Sequence, residues 1–416
     1  MKTPIKDYLS EIVESVHPDE SGEVADYIPT LAEANPDRLA LAMTTVSGRT
    51  YTAGDTDTEF TIQSMSKPFA YAAAITEHGK DKIDSIVGTE PSGEAFNELS
   101  LEQGTHRPKN PMINVGALAI NQFVCQPGAN WKTRTKRMVE LLSTLAGRKL
   151  RVDYDAFESE MDSAHRNMSI AHMLAAYGFI ETTPHDAVRG YTAQCSVLVN
   201  TRDVAMMTAV LANGGVNPVT NQTVLGRSVV RRVLSVMAIA GMYDEAGEWF
   251  TEVGIPAKSG VAGGLLGALP GQAGLAAFSP RLNDHGNSVR SIAIFRKLSE
   301  DLGLHLMDAD AIGSRALRGT RVSNGRSIIE IQGPVNFTAA EIVLNRLATS
   351  TPSESEVVFD VSRVGVVNPV GRTLILEAMR RLSHEGKEIL FYDPEGVLPN
   401  PDMGEGLLPV ILQDAP

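Results

Sequence analysis

From Ser259 to Pro280 the chain carries no charged residue, and this stretch holds six glycines together with Pro270 and Gln272. A run so long and so uncharged can cross a bilayer as a helix, or it can be buried strands joined by tight turns. A membrane helix needs a near-continuous apolar surface and a self-satisfied backbone. Closely spaced glycines with a proline mark turns instead. The stretch is therefore read as buried strands, and no membrane insertion is expected.

The first 307 residues read as one unit. Helical patterns lie at 66–77, 111–124, 136–145, 169–177, 201–212 and 227–237, and strand-like runs lie at 39–45, 274–278 and 289–295. Early and late strands around a helical middle predict an α+β fold, with helices against an antiparallel sheet whose strands come from distant parts of the chain. Ile5, Leu9, Ile12 and Val13 predict an amphipathic first helix, and Asp7, Glu11 and Glu14 among them argue against a signal peptide. The polar stretch 299–321 suggests a boundary, with a linker at 308–321 and a second domain at 322–416. There, strand patterns at 327–331, 356–360 and 387–392 alternate with helical patterns at 338–348 and 369–384, which predicts a small α/β domain.

The net charge of −13 argues against nucleic acid as a partner, because phosphate binding needs a basic face. Two cysteines, Cys125 and Cys195, support no disulfide framework and suit a reducing cytoplasm. None of the nine histidines stands in a His-Glu-x-x-His pattern, and His165 and His172 are poorly spaced for shared ligation on one helix. No glycine-rich nucleotide loop occurs, so neither metal nor organic cofactor is expected.

The sharpest local signal is Gln63-Ser64-Met65-Ser66-Lys67. Spacing of i, i+3 at a helix start puts Ser64 and Lys67 on one face. A serine hydroxyl needs a base, and a lysine becomes one when burial disfavours its ammonium form. Free N–H groups at a helix start also suit a developing oxyanion. Taken alone, the spacing is common, and Ser64 could simply cap a helix. Ser66 is a rival nucleophile but adjoins Lys67 rather than sharing its face. A second signal, Lys258-Ser259-Gly260-Val261, fits a strand whose glycine lets backbone approach a site closely, although a glycine-rich turn beside a buried strand would look similar. In this order the two motifs follow the logic of penicillin-recognising serine enzymes.

Further motifs extend the pattern: Gly22-Glu23-Val24-Ala25-Asp26-Tyr27-Ile28-Pro29, Asn110-Pro111-Met112-Ile113-Asn114-Val115-Gly116-Ala117, Ser159-Glu160, Arg166-Asn167, Tyr191-Thr192-Ala193-Gln194-Cys195-Ser196, Gly241-Met242-Tyr243-Asp244 and Asn283-Asp284-His285-Gly286-Asn287-Ser288. Their order and spacing resemble the serine-dependent glutaminases, whose catalytic domain is similar to β-lactamases, over residues 22–304. The resemblance implies hydrolysis of L-glutamine to glutamate and ammonia through a glutamyl ester on Ser64. It makes Lys67 the general base, places Tyr243 beside them to pass a proton to the leaving ammonia, and sets Tyr191 near the nucleophile. It gives the oxyanion to the backbone N–H groups of Ser64 and Val261. It assigns Glu160 to the substrate ammonium and Asn114 and Asn167 to its carboxylate, with Tyr27 at the pocket mouth. A cytoplasmic homo-oligomer, dimer or tetramer, is the family's habit.

Beyond Val322, the run Val357-Val358-Phe359-Asp360-Val361-Ser362-Arg363-Val364 followed by Asn368-Pro369-Val370-Gly371 resembles STAS domains of sulfate transporters and anti-sigma-factor antagonists. Signalling members carry a phosphorylated serine near the helix start, where this chain has Pro369. A protein or ligand partner for this domain is not specified by its residues. Two other readings stay open at this point: a related serine amidase or penicillin-recognising hydrolase, and a non-catalytic STAS-type regulator. Glu160, Asn114 and Asn167 disfavour the first, since a lactam needs no amino-acid head-group site. Ser64, Lys67 and Tyr243 together disfavour the second.

Overall fold

The computed structural model describes residues 5–26, 28–95, 97–308 and 316–416, and divides into two compact units, Met1–Asp308 and Ala309–Pro416. The strands of the first unit are β1 (Ala40–Thr45), β2 (Thr50–Gly54), β3 (Phe60–Thr61), β4 (Arg151–Val152), β5 (Val197–Val199), β6 (Ala257–Gly260), β7 (Gly264–Leu269) and β8 (Ala273–Phe278). Five of them form an antiparallel sheet in the order β2-β1-β8-β7-β6, and β3, β5 and β4 form a small second one. The pairing of β1 with β8 joins residues more than two hundred positions apart, as the sequence pattern predicts. The uncharged stretch is β6 to β8, buried on both faces, and no described helix is long and apolar enough to cross a membrane.

Alternation along these strands sends side chains to opposite layers. Leu41, Met43, Leu265, Leu275 and Ala277 join Leu9, Ile12 and Val13 of the first helix (Ile5–Val16) and Ile294, Phe295 and Leu298. Ala40, Ala42, Leu266, Ala276 and Phe278 face the larger helical core, with Phe69, Leu118, Leu142 and Val210. The unit is therefore a three-layer α/β/α sandwich.

One expected element changes type. Residues 289–295, read as a strand, begin a helix, Val289–Leu302. Ser288 caps it by accepting from the Ser291 N–H, and the buried pairs 290/291, 294/295 and 298/299 recur at helical spacing.

The second unit has β9 (Leu317–Ser323), β10 (Arg326–Gln332), β11 (Glu356–Arg363), β12 (Glu388–Tyr392) and β13 (Val410–Ile411), in the order β13-β12-β11-β10-β9. Only β9 runs antiparallel to its neighbour. Helices Phe337–Thr349 and Pro369–His384 cover one face through Val343, Leu347, Ile375, Met379 and Leu382, packed on Ile329, Val357, Phe359 and Phe391. Strand β9 lies partly in the stretch expected as linker. It is a largely exposed hairpin partner of β10 and offers little apolar pattern to read. Residues 309–315 of that linker lie outside the described residues.

Candidate active site

Ser64 sits in a single 3-10 turn, Gln63–Ser66, which leads directly into the helix Lys67–His78. Gln63 holds the left-handed region, with φ 49°. Such a backbone costs on the order of 1–3 kcal/mol and persists only where its surroundings fix it. Here the Ser66 hydroxyl donates to the Gln63 carbonyl (2.7 Å), and the Gln63 amide donates to Glu160 Oε2 (3.2 Å) and Thr61 Oγ1 (3.3 Å). Ser66 Oγ also accepts from Gln194 Nε2 (2.9 Å) and is fully buried, so this rival hydroxyl is tied into the wall.

Lys67 is the first residue of its helix, and its ammonium donates to Asn114 Oδ1 at 2.7 Å. That oxygen also accepts from the Tyr191 hydroxyl (3.2 Å), while Asn114 Nδ2 donates to Asn167 Oδ1 (3.1 Å). Asn114 is thus the hub that joins Lys67, Tyr191 and Asn167. It opens the helix Asn114–Asn121; Tyr191 lies on Pro184–Cys195, Glu160 on Tyr154–Asp162, and Asn167 on His165–Ala176.

Tyr243 approaches from the opposite side, on the short turn Tyr243–Glu245, with φ 58°. Its hydroxyl donates to the Ser259 carbonyl (3.3 Å), and its phenol shares a side-chain hydrogen bond with Ser64. Strand β6 brings Lys258, Ser259 and Gly260 beside the turn that carries Ser64. A Cβ on Gly260 would stand 3.2 Å from the Ile62 carbonyl and 3.4 Å from Gln63 Cβ, so glycine sets this close approach. Val261 opens the β6–β7 turn, which Gly263 closes with φ 98° and an N–H donated to Gly260 O (2.9 Å).

Burial governs the protonation of this group. It lowers the Lys67 pKa to about 7, although the Glu160 charge opposes the fall. It raises Glu160 to about 7 against the Gln63 amide and the Lys67 charge. Burial thus brings both a lysine and a carboxyl into the neutral range, far from their ordinary values. Burial also lifts the phenols of Tyr243 and Tyr191, which stay protonated, and holds Lys258 well below the ordinary lysine range, with the Lys67 cation adding to the effect.

A cavity of about 770 Å³ opens above the group, lined by Asn114, Glu160 and Asn167 on one side and by Ser21–Asp26, Asn283, Asp284 and Gly286 on the other. Ser64, Lys67, Tyr191, Tyr243 and Val261 are buried, and Lys67 and Tyr191 meet the cavity wall at Asn114. Tyr27 lies outside the described residues; its neighbours Asp26 and Ile28 line the cavity.

Three residues here had no role in the sequence reading. Gln63 and Lys258 stand within its two motifs, and Cys195 lies one helical turn from Tyr191. Lys258 Nζ donates to the Ser259 carbonyl (2.9 Å) and lies 3.8 Å above the Tyr243 ring. Cys195 shares a side-chain hydrogen bond with Tyr191, and burial pushes its thiol up to about 12, so it is not a thiolate nucleophile.

The glutaminase family model matches residues 22–307. A glutaminase of Corynebacterium efficiens is 53% identical over 97% of this chain and 95% of that protein, and one of Corynebacterium glutamicum is 51% identical over 97% and 98%. The crystal structure of Mglu in its glutamate form is 46% identical, covers 96% of this chain and 100% of its own, and superposes with a TM-score of 0.89. Motif order, site geometry and similarity over nearly the whole length agree: the chain belongs to the glutaminase family.

Proposed function

We propose that the chain hydrolyses L-glutamine with Ser64 as nucleophile. The observation that carries this reading is the buried Ser64–Lys67–Tyr243 group beneath a cavity that presents Glu160 and the Asn114–Asn167 pair. Neutral Lys67 takes the Ser64 proton as Oγ bonds to the amide carbon. The carbonyl electron pair moves to its oxygen, which the N–H groups of Ser64 and Val261 receive, a contribution of roughly 3–4 kcal/mol per donor in comparable sites. The C–N bond then breaks, and the nitrogen gains the proton from Lys67 by way of the Tyr243 hydroxyl. Ammonia leaves a glutamyl ester. Water gives a proton to the same base and adds to the ester carbon; the bond from that carbon to Ser64 Oγ then breaks, the base returns the proton to Oγ, and glutamate leaves.

In this reading Glu160 holds the substrate ammonium, and Asn114 and Asn167 hold its carboxylate. Neither a penicillin-type substrate nor a purely regulatory role accounts for that head-group set. The second unit is STAS-like in its strand and helix alternation. Asn368 caps its second helix by accepting from the Gly371 N–H, and Pro369 stands at the helix start. We assign it no phosphate switch. A homo-oligomer follows from family resemblance, and the free Cys125 and Cys195 suit a reducing cytoplasm.

The test is ammonia and glutamate release from L-glutamine by the purified full chain beside Ser64→Ala. The reading requires turnover in the wild type and its loss in the variant. Equal turnover in both would remove Ser64 from the reaction, and a folded wild type inert toward glutamine would remove the substrate.

A further inference from the structure

The turn that carries Tyr243 is held from one side by a single loop, Asn283–Asn287. Glu245, two residues after Tyr243, accepts from Asn283 Nδ2 through both carboxylate oxygens (3.3 and 3.2 Å), and Asn287 Nδ2 donates to its Oε2. Asp244 Oδ2 meets His285 Nδ1 at 2.8 Å, but that pair is more exposed and correspondingly screened. The loop is braced internally: Asn283 Oδ1 accepts from the N–H groups of His285 and Asn287, both at 3.0 Å, and the Asn283 N–H donates to Asn287 O (2.8 Å). Asn287 is fully buried, so its amide is a fixed donor. The same loop forms a wall of the cavity through Asn283, Asp284 and Gly286.

A tyrosine in the left-handed region does not hold that backbone on its own account. Charge-assisted hydrogen bonds to a carboxylate are about twice as strong as neutral ones, so the Glu245 contacts are strong ties on this turn. We propose that Glu245 is a positioning residue for the reaction: bonded to Asn283 and Asn287, it fixes the Tyr243 turn and so aims the phenol at the leaving nitrogen. This rests on the proton-donor role given to Tyr243 above.

The test separates leaving groups. Ammonia must be protonated as it departs, whereas p-nitrophenolate from a γ-glutamyl p-nitrophenyl ester need not be. Tyr243→Phe, the reference, loses kcat on glutamine and keeps most of it on the ester. Glu245→Ala shows the same selectivity, with kcat on glutamine down about a hundredfold, the loss expected from about 1 Å of misplacement, and KM little changed. Glu245→Gln retains one acceptor oxygen and falls between. Asn287→Ala cuts the same tie from the other side and outside the cavity lining, so it carries the test if Glu245→Ala does not fold. If Tyr243→Phe discriminates between the substrates but Glu245→Ala and Asn287→Ala slow both equally or neither, the inference is overturned. If Tyr243→Phe itself does not discriminate, the donor role fails and the inference goes with it.

Discussion

Glu160→Gln isolates the charge at the head-group site. The wild-type carboxylate is buried, accepts from the Gln63 amide, lines the cavity, and is ionised only above about pH 7. Removing one partner of a buried ion pair costs about 3–5 kcal/mol. Glutamine at 160 keeps the shape and one acceptor, and a hydrogen bond to a charged group contributes about 1.5–3 kcal/mol. The net loss of ammonium binding is therefore about 1.5–2 kcal/mol, or roughly ten- to thirtyfold in kcat/KM at about 1.4 kcal/mol per decade. Most of it falls on KM, because the ammonium is held alike in ground and transition states. The pH profile moves as well. In the wild type, both the free Lys67 base and the ionised Glu160 appear as pH rises through about 7, so activity is lost on the acid side. The Glu160 charge holds the Lys67 pKa up, so its removal lowers that pKa and shifts the acid limb of kcat to lower pH. Steady-state ammonia release from pH 5.5 to 9 reads both effects. A variant within threefold of wild type in kcat/KM, or an acid limb that moves upward, would refute the assignment.

Other substitutions probe the framework. Ser66→Ala should keep its chemistry and lose about 1–3 kcal/mol of stability, since Gln194 Nε2 then lacks a buried acceptor; loss of turnover in a folded Ser66→Ala protein would reopen the choice of nucleophile. Two glycines should diverge in urea unfolding. At Gly241 a Cβ would lie 1.8 Å from the Ala257 carbonyl, so Gly241→Ala should cost about 3 kcal/mol. At Gly247, in the helix Ala246–Glu252, a Cβ meets nothing within 4 Å, and Gly247→Ala should stabilise by about 0.5–1 kcal/mol.

What the sequence yielded follows from how local each signal is. The helices 201–212 and 369–384 were read with the bounds the structure shows, because Asn200 and Asn368 are caps and the apolar spacing is regular. Residues 289–295 misled because Val289, Ile292 and Ile294 favour strands, while the Ser288 cap and the three-to-four spacing that decides the helix extend beyond that window. The helices carrying Glu160 and Tyr191 are polar over much of their length, and no periodicity announced them. Those two residues were placed by resemblance. The Ser-x-x-Lys spacing pointed to a serine beside a lysine, but Asn114 as the shared partner of Lys67 and Tyr191 depends on contacts 47 and 77 residues apart, which no local pattern contains. Ser64 also precedes the helix by a 3-10 turn rather than lying within it, because Gln63 takes a left-handed backbone that spacing alone does not reveal.

The central claim is covalent. An electrophilic glutamine analogue with a diazoketone in place of the side-chain amide should inactivate the protein and, after proteolysis and mass spectrometry, be found on the peptide containing Ser64. Glutamate should protect against the labelling, and Ser64→Ala should escape it. A label on Ser66, Cys195 or Tyr243 in place of Ser64, or undiminished labelling in Ser64→Ala, would contradict the account.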